Sequence, residues 1–348
     1  MHSIDDIRKH LLAGQVIPAL PLALNRHRRW SEHHQRAVLR YYIDAGAGGI
    51  AVGVHSTQFA IREKKHGLFE PVLALASETI TGWPGQTPRP FLRIAGICGR
   101  TPQALAEAET AVLFGYHAAL LSVAALGDED ERAIVRHCAR VARTIPIIGF
   151  YLQPAVGGRV LSHRFWRTFA DIPNVVAIKM APFNRYRTHD VIRAVIESGR
   201  EDIALYTGND DNIIADLLTL FEYAGKIRRV AGGLLGQWGV WTERATALFA
   251  EIKKARAKPK LDAAWLTRAA ALTDANGAIF DVANGYAGCI PGIHEILRRQ
   301  GIFETTACLD PHEKLSRGQA AELDRVTRAY PWLVDDTFVQ NNLHRWLA

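Results

Sequence analysis

The 348-residue chain has only four cysteines, Cys98, Cys138, Cys289 and Cys308, far apart and with no Cys-x-x-Cys pair. That excludes a thiolate zinc cage and a disulfide framework, and leaves buried, reduced thiols as the reading. No His-Glu-x-x-His and no Gly-x-x-x-x-Gly-Lys occurs, so neither a zinc protease nor a phosphate-loop enzyme is indicated. Asp310-Pro311-His312-Glu313 reads as a turn and helix start, and the expectation is no metal and no cofactor. No apolar run reaches the roughly 18 residues of a membrane span. The start, Met1-His2-Ser3-Ile4-Asp5-Asp6, carries acids where a leader needs bases, so a cytoplasmic protein is expected. The longest basic cluster, 25–29, is short and without interleaved aromatics, which argues against nucleic acid. The net charge of +7, from 42 Lys+Arg against 35 Asp+Glu spread along the chain, suits attraction of carboxylates.

What the chain has is alternation. Short apolar, β-branched runs lie at 16–20, 49–52, 91–97, 118–123, 145–151, 175–179, 203–207 and 229–232. Segments of helical spacing follow them, among them 31–45, 101–114, 162–170 and 210–223, most opened by a polar cap such as Ser31 or Ser162. Such alternation predicts a parallel sheet covered by helices, and eight units in about 240 residues predict a (β/α)8 TIM barrel. A doubly wound sheet lacks its Gly-x-Gly-x-x-Gly after the first run. Beyond the Lys- and Ala-rich stretch 249–260, the segments 263–280, 290–300 and 319–329 look helical. The expected organisation is a barrel over 1–256 and a helical C-terminal extension over 257–348.

In such a barrel the reactive groups stand at the carboxyl ends of the strands. Run six, Val175-Val176-Ala177-Ile178-Lys179, ends in a lysine, and burial there lowers an amine's pKa toward the range where it attacks a carbonyl. A lysine snorkelling to solvent is the bland reading. Run five ends at Tyr151, a phenol that could move protons beside that lysine, or simply an aromatic lid. After run two, Gly53, His55 and Ser56 offer polar groups for a carboxylate, against an ordinary turn. Gly208, Asn209 and Gly232, at the ends of runs seven and eight, allow close backbone approach to a ligand or simply make tight turns.

Together, in this order, these residues resemble the dihydrodipicolinate synthase and N-acetylneuraminate lyase family of class I aldolases, over about 16–251. Gly149-Phe150-Tyr151-Leu152-Gln153-Pro154 is similar to the family's Tyr-Asn-x-Pro segment, and Val176-Ala177-Ile178-Lys179 to its Gly-Ile-Lys segment. The resemblance implies that Lys179 is the Schiff-base lysine and Tyr151 the proton-shuttling tyrosine. It also implies a homo-oligomer, dimer or tetramer. Three positions depart from the family pattern: Val54 stands for the relaying threonine, Ser122-Val123-Ala124 for a tyrosine pair, and Val156 near an expected arginine. The covalent centre is kept while the acid-base relay and second-substrate groups are changed, so a true dihydrodipicolinate synthase is not expected. The expected function is a lyase, aldolase or hydratase-aldolase acting on a small 2-keto acid through Lys179. The alternatives are an imine-dependent dehydratase of a sugar-derived keto acid and a catalytically silent barrel that binds a small acid.

Overall fold

The computed structural model describes residues 3–83, 85 and 89–348. In chain order the first elements are α1 (Ile4–Leu12), β1 (Val16–Pro18), α2 (Glu32–Asp44), β2 (Gly49–Val52), α3 (Phe69–Gly82), β3 (Leu92–Ile97) and α4 (Thr101–Leu113). Then come β4 (Ala118–Leu121), α5 (Glu131–Val141), β5 (Ile147–Leu152), α6 (His163–Phe169), β6 (Val175–Ala181), α7 (Arg185–Ser198), β7 (Ala204–Thr207) and α8 (Ile213–Leu218). A hairpin of β8 (Leu220–Tyr223) and β9 (Lys226–Arg229) precedes β10 (Gly232–Leu235) and α9 (Thr242–Ala255). The chain ends in α10 (Ala264–Ile279), α11 (Cys289–Arg299), α12 (Gln319–Ala329) and α13 (Asp336–Trp346). Omitting the hairpin, this is the element sequence of a (β/α)8 barrel with added C-terminal helices. No helix among the described residues is long and apolar enough to cross a membrane.

The chain forms two compact units, 1–15 with 92–234, and 16–91 with 235–348. The division does not follow the boundary expected at 256/257. In the first unit the strands run parallel in the order β10-β7-β6-β5-β4-β3. Their residues are almost wholly buried, as a parallel sheet requires of strands covered on their faces. Ser162 caps α6 by accepting the Phe165 N–H at 3.1 Å. Asn184 caps α7 through the Arg187 N–H at 3.1 Å. At the amino end of the sheet, the Tyr206 hydroxyl donates to the Leu11 carbonyl at 2.9 Å and accepts the Gln15 N–H at 3.1 Å, which ties α1 down.

Two expectations fail here for one reason. Segment 210–223 is helical only over α8, and the eighth parallel strand is β10 rather than 229–232, because the hairpin lies between them. Tyr223 pairs with Lys226 across a two-residue turn, Ala224-Gly225, and both turn residues have positive φ. That is the requirement of a type I′ hairpin, met with alanine where asparagine is the usual sign.

In the second unit Asp335 gathers the C-terminal helices onto α2 and α9. Its carboxylate accepts from Tyr41 (2.7 Å), the Glu243 N–H (3.1 Å) and Gln300 (2.8 Å). Trp346, fully buried, donates its indole N–H to Asp44 at 2.8 Å. Burial raises the Asp335 pKa to about 6, with the bond from Tyr41 opposing. His294 in α11 is fully buried beside Phe303, and burial lowers its pKa to about 4 against the backbone at Thr306 and Ala307.

A pH test separates these two groups. The folded pKa of His294 lies below its unfolded value, so its stability is present above about pH 6.5 and is lost as pH falls toward 4, by about 3 kcal/mol in all. Asp335 has the opposite slope, because its folded pKa lies above the unfolded one and acid protonates it first in the folded state. Urea unfolding of the wild type and of His294→Leu between pH 7 and 4 therefore gives a steeper acid loss in the wild type. Parallel pH profiles would exclude His294 as the cause.

Candidate active site

Strand β6 is the longest wholly buried strand of the sheet, and Lys179 within it is 8% exposed. Parallel pairing sets Phe150 of β5 and Tyr206 of β7 beside it. The Lys179 Nζ stands 4.5 Å from the centroid of the Phe150 ring. Burial lowers the Lys179 pKa to about 8, with the charge of Asp210 opposing. About a tenth of the amine is then free at pH 7, against fewer than one in a thousand for an ordinary lysine. Gly208, just past β7, covers the lysine stem: its N–H donates to the Met180 carbonyl at 2.7 Å. A Cβ at Gly208 would lie 2.6 Å from Lys179 Cε and 2.9 Å from Ala181 Cβ.

Tyr151 is not beside Lys179. Side chains alternate along a strand, and Phe150, the register partner of Lys179, takes the lysine's face. Gly149 and Tyr151 take the other face, turned to α6. A Cβ on Gly149 would meet Phe169 at 2.7 Å, and the Tyr151 ring packs 5.1 Å from that of Trp166. The Tyr151 hydroxyl donates to the Leu161 carbonyl at 3.1 Å and accepts the Leu161 N–H at 3.2 Å. It pins the loop after β5, and the proton-shuttle role expected of it is corrected on that ground.

Two further expected ligand positions move. Asn209 is 1% exposed, and its side chain is turned to the helices. Its Oδ1 accepts the Phe183 N–H at 3.1 Å, and its Nδ2 donates to Thr188 at 3.3 Å and Asp216 at 3.1 Å. The buried Asp216 carboxylate also accepts from Thr207 at 2.6 Å and pairs with Arg185. This network fixes the turn after β7. Gly232 begins its strand instead of ending it, and a Cβ there would strike the Gln15 carbonyl oxygen at 2.4 Å and the Tyr206 ring at 3.0 Å. It belongs to the α1 end of the sheet. The misplaced eighth strand is the cause.

The turn after β2, in the second unit, holds Gly53, His55 and Ser56. Gly53 has φ +78°, and its N–H and that of Val54 donate to Thr57 Oγ1 at 3.0 and 3.3 Å. Thr57 in turn donates to the Leu20 carbonyl at 2.6 Å, so this hydroxyl builds the turn. His55 is half-buried with its ring 6.2 Å from that of Phe59. Ser56 is 3% exposed and its hydroxyl has no hydrogen-bond partner among the described residues. The Arg159 guanidinium, late for the expected arginine, donates to the Leu126 and Glu129 carbonyls at 2.7 and 3.1 Å.

Sequence reasoning missed Phe150 and Asp210. Phe150 is next to the residue it chose, and only the strand face separates them. Asp210 was in view in Asn209-Asp210-Asp211, but its action on Lys179 spans 31 residues of chain.

No protein-family model and no curated protein matches the sequence. Solved structures do match the fold. A dihydrodipicolinate synthase from Oceanobacillus iheyensis aligns with a TM-score of 0.73 at 14% identity, over 94% of this chain and 99% of its own. An N-acetylneuraminate lyase from Fusobacterium nucleatum aligns at 0.69 and 16%, over 92% and 99%. A prophage protein of the dihydrodipicolinic acid synthase family from E. coli K12, solved in complex with pyruvate, aligns at 0.71 and 16%, over 91% and 98%. The likeness shows the fold, a (β/α)8 barrel, and the resemblance read from the sequence holds at that level.

Proposed function

We propose that the protein is a lyase of the class I aldolase type, which forms an imine between Lys179 and the carbonyl of a small 2-keto acid. The observation that carries this reading is the amine itself: buried in a parallel strand, against an aromatic ring, with its pKa at about 8. A buried cation is costly in a fold, and a neutral side chain would fill the same place without that cost. The fold shared with an N-acetylneuraminate lyase, and with a prophage protein of the dihydrodipicolinic acid synthase family solved in complex with pyruvate, supports a keto acid as the substrate class. Phe150 in the lysine's neighbourhood, in place of a phenol, sets the reaction apart from one that relays protons through tyrosine. A cytoplasmic homo-oligomer goes with the proposal.

The test is a set of 2-keto acids, pyruvate first, each incubated with the protein and borohydride and read by intact mass. Reduction of the imine adds the mass of the acid less one oxygen, and peptide mapping assigns it to Lys179. Absence of any adduct across the set favours a silent binding barrel, and an adduct on another lysine overturns the mechanism.

A further inference from the structure

We propose that Asp210 is the proton-transferring carboxylate of this site, taking a proton from the carbon adjacent to the imine on Lys179. The inference rests on the imine reading above and adds to it the base that the reaction needs. Once a 2-keto acid is held as an iminium, the carbon next to the former carbonyl becomes acidic. Its C–H bond breaks, the electron pair forms a C=C bond to the imine carbon, and the C=N π pair moves to nitrogen as a neutral enamine. The proton goes to a base, and reversal returns it.

The lysine's own face of the sheet supplies little for this step. Phe150, Ala181 and Gly208 have no titrating group, the Tyr206 phenol is held by Leu11 and Gln15 at the amino end of the sheet, and the Tyr151 phenol is held by Leu161 on the helix side. The Ser122 hydroxyl, just past β4, accepts the Ala124 N–H at 3.4 Å and, as a neutral hydroxyl, is a poor base for this step. Asp210 is different. It sits two residues after Gly208, whose backbone lies on the lysine stem, in a turn closed by the Asn212 N–H to the Asn209 carbonyl at 3.0 Å. The Asn209 side chain, locked to Phe183, Thr188 and Asp216, keeps that turn from drifting. Asp210 is half-buried, and its negative charge is felt at the Lys179 amine. The carboxyl pKa of its neighbour Asp211 is raised chiefly by burial, and the side-chain charges acting on it are those of Arg185 and Asp216.

The experiment uses the full chain with pyruvate in D2O. Loss of the methyl proton signal reports the enamine, and borohydride trapping reports the imine. In Asp210→Asn, exchange at the methyl carbon falls by about 10²-fold or more, the usual weight of a general base. Trapping at pH 7 stays at least as fast as in the wild type, because removal of an anion frees more of the amine. Asp210→Glu, which keeps a carboxylate, recovers part of the exchange, and Asp211→Asn exchanges like the wild type. Wild-type exchange in Asp210→Asn overturns the proposal, as does a wild type that traps pyruvate without exchanging it. A wild type that does not trap at all overturns the imine reading first. A general loss of fold shows as loss of trapping together with exchange, and Asp210→Glu then decides the role of the carboxylate.

Discussion

Replacing Lys179 by methionine abolishes the borohydride adduct and at the same time makes the protein more stable. The two effects have one cause. At pH 7 the unfolded chain carries Lys179 as an ordinary ammonium, whereas the folded chain must hold a cation against Phe150 with 8% exposure. The gap between a folded pKa of about 8 and the unfolded value near 10.4 corresponds to about 3 kcal/mol. Methionine has a similar length and no charge, so that destabilisation disappears. The sign with pH follows. Below pH 8 both states are protonated and the penalty is constant, and from pH 8 to about 10.4 the folded state releases its proton first and the wild type gains on the variant. Chemical unfolding at pH 7 and pH 10 checks this. A variant less stable than the wild type at pH 7 would mean that the ammonium is well solvated and the site is not built around a free amine.

In Gly208→Ala the rate of imine trapping falls by about 10²-fold, while the fold loses only about 1–3 kcal/mol. The new methyl would lie 2.6 Å from Lys179 Cε and 2.9 Å from Ala181 Cβ, both far inside van der Waals contact. The end of a lysine is flexible and swings aside at small energetic cost, but a displaced nucleophile loses its line of attack. Ala181, fixed in β6, cannot swing, and the turn after β7 must shift as well. Trapping kinetics beside a urea titration separates the two consequences. Trapping at the wild-type rate in a folded Gly208→Ala protein would show that the lysine does not react from the position seen here.

The misplaced tyrosine shows how a fold and a site differ in what they ask of a sequence. A (β/α)8 barrel is written in alternation of apolar runs and amphipathic stretches, which survives an error of a residue or two in any boundary. A site does not. One residue of register turns a side chain to the opposite face, and the irregular pairing at Ile147/Ile148 at the start of β5 has no mark in the composition of that run. The hairpin between β7 and β10 was hidden in the same way, since 210–223 has helical spacing and its turn carries Ala224 where asparagine or aspartate would have signalled it.

By itself the sequence determined the alternating architecture and the lysine at the end of an almost uninterrupted apolar run. Both follow from local pattern, and hydrophobic burial acts on pattern directly. The tertiary structure decided which aromatic ring lies against Lys179, that Tyr151 holds a loop, that Asn209 braces a turn, that the Gly208 backbone lies on the lysine stem, and that the charge of Asp210 acts on the amine. Those are contacts between strands and turns distant in sequence, set by register and by side-chain direction, and no single segment of the chain contains them.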